Sequence, residues 1–174
     1  MNKTLLVLTA AILLAVVCAC APAVSLNSDS DQVSSAAAQI ADFEPPAGYT
    51  SEFTASLLGY TVAAYSPGDG HSHLYLIQSE NESDGEKLAD MLKELVPGTS
   101  DANTRLTVIE NREATIRGQE VTLVVSAGVN SEGDPYRQVT AAFQGKGGPA
   151  LLVLSEPSDR WDPSTVDAFI ASIQ

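Results

Sequence analysis

The longest apolar run of the chain lies near its amino terminus. Leu5 to Val17 contains a single polar residue, Thr9, and Lys3 precedes the run. A transmembrane helix needs about 20 apolar residues to cross the hydrocarbon core, and this run is shorter. A short apolar run that follows a positive charge and precedes small residues predicts an export signal, here residues 1–19.

Beyond this leader, the dominant pattern is the two-residue period of β-strands. Short runs of β-branched and aromatic residues are separated by segments rich in Gly, Pro, Asp and Asn. The clearest alternation has Val139, Ala141 and Phe143 on one face and mostly polar residues on the other. The predicted strands are 60–65, 73–77, 106–109, 121–125, 138–144 and 150–154.

Two segments change to the period of an amphipathic helix. Ser83 and Glu86 form a capping-box pattern, and Asp162 followed by Pro163 is a second start signal. Each is followed by apolar residues at helical spacing. These apolar positions are Leu88, Met91, Leu92 and Leu95 in the first segment, and Val166, Phe169, Ile170 and Ile173 in the second.

These elements predict one α+β domain at residues 42–174. We expect an antiparallel sheet of about six or seven strands, covered by the two amphipathic helices in a sandwich. Residues 20–41 are rich in Ser, Ala, Asn and Asp and are interpreted as a flexible tether. The alternative for this segment is a short helix over 33–40 that packs on the domain, because its alanines favour helix.

The charge balance limits the classes of partner. The chain has 22 acidic and 9 basic residues and a formal net charge of -13. Such a surface repels phosphate backbones and anionic bilayers, so we expect no nucleic-acid partner and no electrostatic adhesion to a membrane. Attachment to a membrane would therefore rely on a lipid.

The end of the leader resembles the lipobox of bacterial lipoproteins. Val17-Cys18-Ala19-Cys20 has an aliphatic residue three positions before Cys20 and a small residue directly before it. The resemblance implies cleavage after Ala19, a diacylglycerol thioether on Cys20 and fatty acyl chains such as palmitate. It implies an extracytoplasmic protein anchored to a membrane, in the periplasm or at the cell surface. In a cell with two membranes, the residue after Cys20, which is not Asp, favours the outer one. The alternative is an ordinary secretory signal cleaved after Ala21.

The order of elements after residue 42 is similar to the PsbP/Mog1-like sandwich domains. The resemblance rests on the Phe43–Tyr49 segment, then a strand pair, a helix, a run of strands, and a closing helix that contains Asp167–Ile173. It implies an α+β sandwich, a fold with many functions, and no catalytic residue is carried over.

The strongest chemical candidate is the loop that holds both histidines of the chain. If His71 and His73 lie on one strand, they point the same way, and Asp69 would supply a third ligand for a divalent transition metal. The alternative is a polar turn with solvated histidines. Hydrolytic chemistry would have to use the same loop, since no serine has a G-x-S-x-G motif around it.

A second candidate is an acidic stripe on the first predicted helix. Glu86, Asp90 and Glu94 follow one another at i, i+4 and i+8, which fits either a solvated face or a docking surface for a basic partner. Taken together, these features predict a lipid-anchored, extracytoplasmic, non-catalytic domain that binds an envelope protein or a small ligand. A metal-binding or hydrolytic domain using Asp69, His71 and His73 is the alternative, and no other cofactor is expected.

Overall fold

The computed structural model describes residues 25–81, 87–88, 106–130 and 132–174. Within them, eight strands form a single antiparallel sheet, and two helices of ten or more residues are complete. The strands are β1 (Ser25–Asn27), β2 (Thr50–Leu57), β3 (Tyr60–Ser66), β4 (His73–Ser79), β5 (Thr107–Ile116), β6 (Gln119–Val129), β7 (Pro135–Gln144) and β8 (Pro149–Pro157). The helices are α1 (Ser30–Ile40) and α2 (Pro163–Ser172).

The sheet combines two antiparallel sets of strands. Its order is β1-β2-β3-β4-β8-β7-β6-β5, so the last strand of the chain, β8, joins the two sets at the centre. The register pairs Tyr75 of β4 with Val153 of β8, which in turn is paired with Thr140 of β7. The predicted α+β class with an antiparallel sheet is confirmed, and the sheet has more strands than the expected six or seven. Strand β7 forms antiparallel hairpins with both β6 and β8.

One face of the sheet carries the main core and both helices. The alternation predicted for β7 is confirmed, because Val139, Ala141 and Phe143 are buried on this face. Helix α2 begins where predicted, with the Asp162 carboxylate accepting the Ser164 N–H at 3.0 Å. The buried side chains of α2 and of the residue after it are Val166, Phe169, Ile170 and Ile173.

The flexible tether predicted for residues 20–41 is wrong over α1. Asp29 caps this helix by accepting the N–H groups of Asp31 and Gln32, and Val33 and Ile40 are fully buried in the main core. The alternative, a short helix packed on the domain, is the one the structure contains. Its apolar positions at i, i+4 and i+7 lie on one face, and burying them stabilises a segment whose composition alone suggests a spacer.

The opposite face of the sheet carries a smaller cluster. Tyr75 and Ile77 of β4 and Val153 of β8 are buried there, with Phe53 packed against them. Lys87 and Leu88 lie inside the helix predicted after Ser83, and the structure has them helical, with Leu88 buried in this cluster.

Several predictions fall outside the described residues. These are the export signal, the lipidated Cys20, and the acidic stripe of Glu86, Asp90 and Glu94. Among the helices that are described, none is long and apolar enough to cross a membrane.

Candidate functional site

Three connecting segments meet at one end of the sheet. They join β3 to β4, β6 to β7, and β8 to α2, and antiparallel pairing brings these strand ends to the same edge. Between them lies an open cleft of about 560 Å³, which we call the loop-end cleft. It is lined by His71, Asn130, Asp134, Pro135, Tyr136, Pro157, Ser158, Asp159 and Arg160.

The base of the loop-end cleft is partly apolar. Tyr136 of β7 and Pro157 of β8 are half-buried, and they are register partners on neighbouring strands. The Tyr136 hydroxyl donates a hydrogen bond to the backbone carbonyl of His71 at 3.2 Å. This bond fixes one end of the ring, so the aromatic surface is held in place before any ligand arrives.

Asp69 connects two of the three segments. Its Oδ1 accepts the N–H groups of His71 and Ser72, both at 2.8 Å. Its Oδ2 accepts the Ser72 hydroxyl at 2.9 Å and forms an ion pair with Arg160. Burial by itself raises the pKa of Asp69, but these hydrogen bonds and the positive charge of Arg160 outweigh it, so the pKa lies below its ordinary value. Asp69 is therefore an ionised structural link between the β3–β4 segment and the segment after β8.

A second link lies beside the cleft. The Tyr49 hydroxyl donates to Glu156 Oε1 at 2.8 Å. Burial, followed by the hydrogen bond to Glu156 and its charge, raises the pKa of Tyr49 well above its usual range. Burial also raises the pKa of Glu156, and the hydrogen bond from Tyr49 offsets part of that increase. The pair attaches the segment before β2 to the end of β8.

The charges around the loop-end cleft are predominantly negative. Arg160 is paired with Asp69, and Arg137 lies opposite Glu156 across the β7–β8 ladder. Asp134 and Asp159 are exposed lining residues, and in the described part of the chain neither forms an ion pair. Two carboxylates without an ion pair therefore remain on the rim, and Arg160, which also lines the cleft, is already paired with Asp69.

The structure separates the two histidines. The strand β4 begins at His73, so His71 lies in the turn before it and is exposed at the cleft. The His73 ring lies on the sheet face of Tyr75, stacked on it with ring centroids 5.7 Å apart, and its Nδ1 is 3.4 Å from Glu52 Oε2. The condition under which both histidines would point the same way is therefore not met, because the glycine-rich turn continues through Ser72 and only His73 lies on the strand.

This arrangement of the loop adds no support to the metal-binding or the hydrolytic hypothesis. Across residues 25–81, 87–88, 106–130 and 132–174, no three His, Cys, Asp or Glu side chains are grouped to hold a metal ion. Among the described residues, Glu52 is the only side chain that forms a hydrogen bond with a histidine ring, that of His73. The Ser72 hydroxyl donates to Asp69 and not to a histidine. Metal binding by Asp69, His71 and His73 stays a prediction.

Most of the cleft could not be identified from the sequence. Asp69 and Arg160 are separated by 91 positions, and Tyr49 and Glu156 by 107. The local signals were the loop sequences that contain Asp69 with His71, Asp134 and Asp159, each next to a strand end and rich in turn residues.

Comparison with known proteins gives a likeness to solved structures. No protein-family model and no curated protein matches the chain. The chain is similar to the solution structure of cyanobacterial PsbP (CyanoP) from Synechocystis sp. PCC 6803, with 14% sequence identity and a TM-score of 0.47, covering 90% of this chain and 95% of that one. Nothing about ligand or activity follows from a likeness at this level.

Proposed function

We propose that the chain is a lipid-anchored, extracytoplasmic, non-catalytic binding domain that holds its partner in the loop-end cleft. The observation that carries the proposal is the construction of that cleft. Asp69 with Arg160 joins the β3–β4 segment to the segment after β8, and the Tyr136 hydroxyl joins the start of β7 to the His71 carbonyl. Tyr49 with Glu156 adds a link from the segment before β2 to the end of β8. Cross-linked loops around an aromatic base form a rigid concave surface, which is the usual form of a binding site.

The chemistry of these residues favours binding over catalysis. Asp69 has both oxygens engaged in hydrogen bonds and an ion pair, and its lowered pKa makes it a poor proton acceptor near neutral pH. Tyr49 retains its proton because its pKa is raised. Groups held in one protonation state suit a fixed scaffold, whereas acid–base catalysis needs groups that exchange protons near the working pH.

The anchor is tested by metabolic labelling with a clickable fatty acid. We expect label on the wild-type protein, retention of label in Cys18→Ser, and loss of label in Cys20→Ser. Both variants remove one cysteine from the same short segment, so each controls for the other. An unlabelled wild-type protein would rule out lipidation.

The binding role is tested by co-purification from crosslinked native membranes, followed by mass spectrometry. The double variant Asp134→Asn/Asp159→Asn removes the two rim charges, and Glu113→Gln/Glu120→Gln removes two exposed charges on β5 and β6. We expect the first variant to lose a stoichiometric partner that the second one keeps. A separate arm reverses Glu86, Asp90 and Glu94, since the predicted docking stripe offers the other place for a partner. Loss of the partner in that arm alone would move the binding site away from the cleft.

A further inference from the structure

We infer that the loop-end cleft takes a basic polypeptide segment, one whose Lys or Arg residues flank an apolar or aromatic side chain. This inference rests on the proposed function and names the chemical class of the partner. It combines two independent features of the cleft, the apolar surface at its base and the uncompensated charges on its rim.

The base favours an apolar side chain. Tyr136 and Pro157 are register partners on adjacent strands, and both line the cleft. The hydrogen bond from the Tyr136 hydroxyl to His71 restrains the ring, so little rotamer freedom is lost when a ligand packs against it. Pre-organised grooves lined by aromatic residues suit extended peptides, which lie along them and insert one or two side chains.

The rim favours positive charge. Asp134 and Asp159 are exposed and, within the described residues, have no cationic partner. Of the two arginines nearby, Arg160 pairs with Asp69, whereas Arg137, the register partner of Glu156, forms no ion pair within the described residues. A cationic segment gains from both free carboxylates without competing with an existing ion pair.

The same charges argue against the other common classes of extended partner. Nucleic acids and anionic lipid headgroups would bring phosphate next to Asp134 and Asp159, on a chain whose net charge is already -13. Opposite charges steer association and like charges oppose it. A basic segment of another envelope protein is the partner that fits both the base and the rim.

The test uses fluorescence anisotropy with defined peptides and residues 20–174 carrying Cys20→Ser. The first probe is a labelled peptide of about twelve residues with four lysines around one Phe and one Leu. The second probe replaces the lysines with glutamates, and the third replaces the Phe and Leu with Gly. We expect the lysine peptide to bind, with affinity falling as salt rises from about 25 to 300 mM, and the other two probes to bind at least about fivefold more weakly.

The variants locate the binding to the cleft. Asp134→Asn/Asp159→Asn should weaken the lysine peptide about fivefold or more, and Glu113→Gln/Glu120→Gln should change its affinity less than about twofold. Equal weakening by both variants would mean that the peptide follows overall charge, and equal binding of the glutamate probe would mean that charge is irrelevant. Either result overturns the inference, as does the absence of binding. If a crosslinked partner is lost with the cleft variant and the lysine peptide does not bind, the basic-segment inference fails and the proposed function stands.

Discussion

Helix α1 should be an integral part of the folded domain, and Ile40→Ala tests this. Ile40 is fully buried in the main core, and its backbone carbonyl accepts the Lys146 N–H at 2.9 Å. Lys146 also holds this end of the helix through Nζ, which donates to the Ala38 carbonyl at 3.0 Å and to Asp42 Oδ1 at 2.7 Å. The main-chain contact survives the substitution, so the loss is confined to the side chain.

The expected cost follows from the size of the buried side chain. Truncating a fully buried Ile to Ala removes its transfer free energy and leaves a cavity, which together cost about 2–5 kcal/mol. For a domain of this size, each kcal/mol lowers the melting temperature by about 2–4 °C, so a cost near 3 kcal/mol corresponds to about 6–12 °C. This is a large share of the 5–15 kcal/mol that stabilises a typical domain.

The assay is urea and thermal unfolding of residues 20–174 carrying Cys20→Ser. Gln39→Ala is the matched control, because Gln39 lies beside Ile40 in the same helix and is exposed. We expect the control to change the free energy of unfolding by less than about 0.5 kcal/mol. A cost below about 1 kcal/mol for Ile40→Ala would refute the packing of α1 and restore the tether for residues 30–40.

Three further predictions concern single positions in the strands of the sheet and in the turns between them. Gly148→Ala places a Cβ against the backbone oxygen of Ser79 in β4 and should lower the free energy of unfolding by at least about 2 kcal/mol. Gly118→Ala, at φ +73 in open space, should lower it by about 1 kcal/mol. Equal urea midpoints for the two variants would contradict the collision at Gly148. The Tyr75 hydroxyl is buried and has no hydrogen-bond partner among the described residues, so Tyr75→Phe should leave thermal stability unchanged or raise it by up to about 1 kcal/mol, and a clear loss would reveal a partner. Burial raises the pKa of Glu156 above its ordinary 4.5, so the folded state binds the carboxyl proton more tightly than the unfolded state does. The stability of the wild-type protein should therefore fall, relative to that of Glu156→Gln, as the pH rises from about 4.5 through the raised pKa. Parallel stability curves of the two proteins across that pH range would show that Glu156 does not titrate differently on folding; the amide oxygen of the variant still accepts from Tyr49.

Sequence periodicity predicted the elements in which buried and exposed positions alternate strongly. Helix α2 begins at its predicted cap, and β7 buries the set of residues that its alternation indicated. The pattern failed where polar residues occupy regular structure. Strand β2 was missed because its residues are only partly buried and a bulge between Ser51 and Phe53 interrupts the two-residue period. Strand β5 extends beyond its predicted end to Ile116, since an edge strand tolerates exposed charged residues.

The cleft was less predictable than the fold for a different physical reason. Local periodicity reports which face of an element is buried, but it carries no information about which distant loops meet. The loop of Asp69, His71 and His73 was singled out as a candidate metal-binding or hydrolytic site, with a polar turn as the alternative, and His71 lines the cleft. Its role depends on Arg160, which reaches it only because β8 inserts between β4 and β7. That insertion is a property of the topology and leaves no trace in the spacing of the residues.

The most direct test of the account is photo-crosslinking from inside the loop-end cleft in living cells. Benzoylphenylalanine is introduced at Ser158, whose side chain lines the cleft, and in parallel at Glu120, an exposed residue on β6. The account predicts one discrete crosslinked product from position 158 and none from position 120. Products of equal yield from both positions, or none from position 158 in membranes that contain the protein, would contradict the claim that the cleft is where this domain binds its partner.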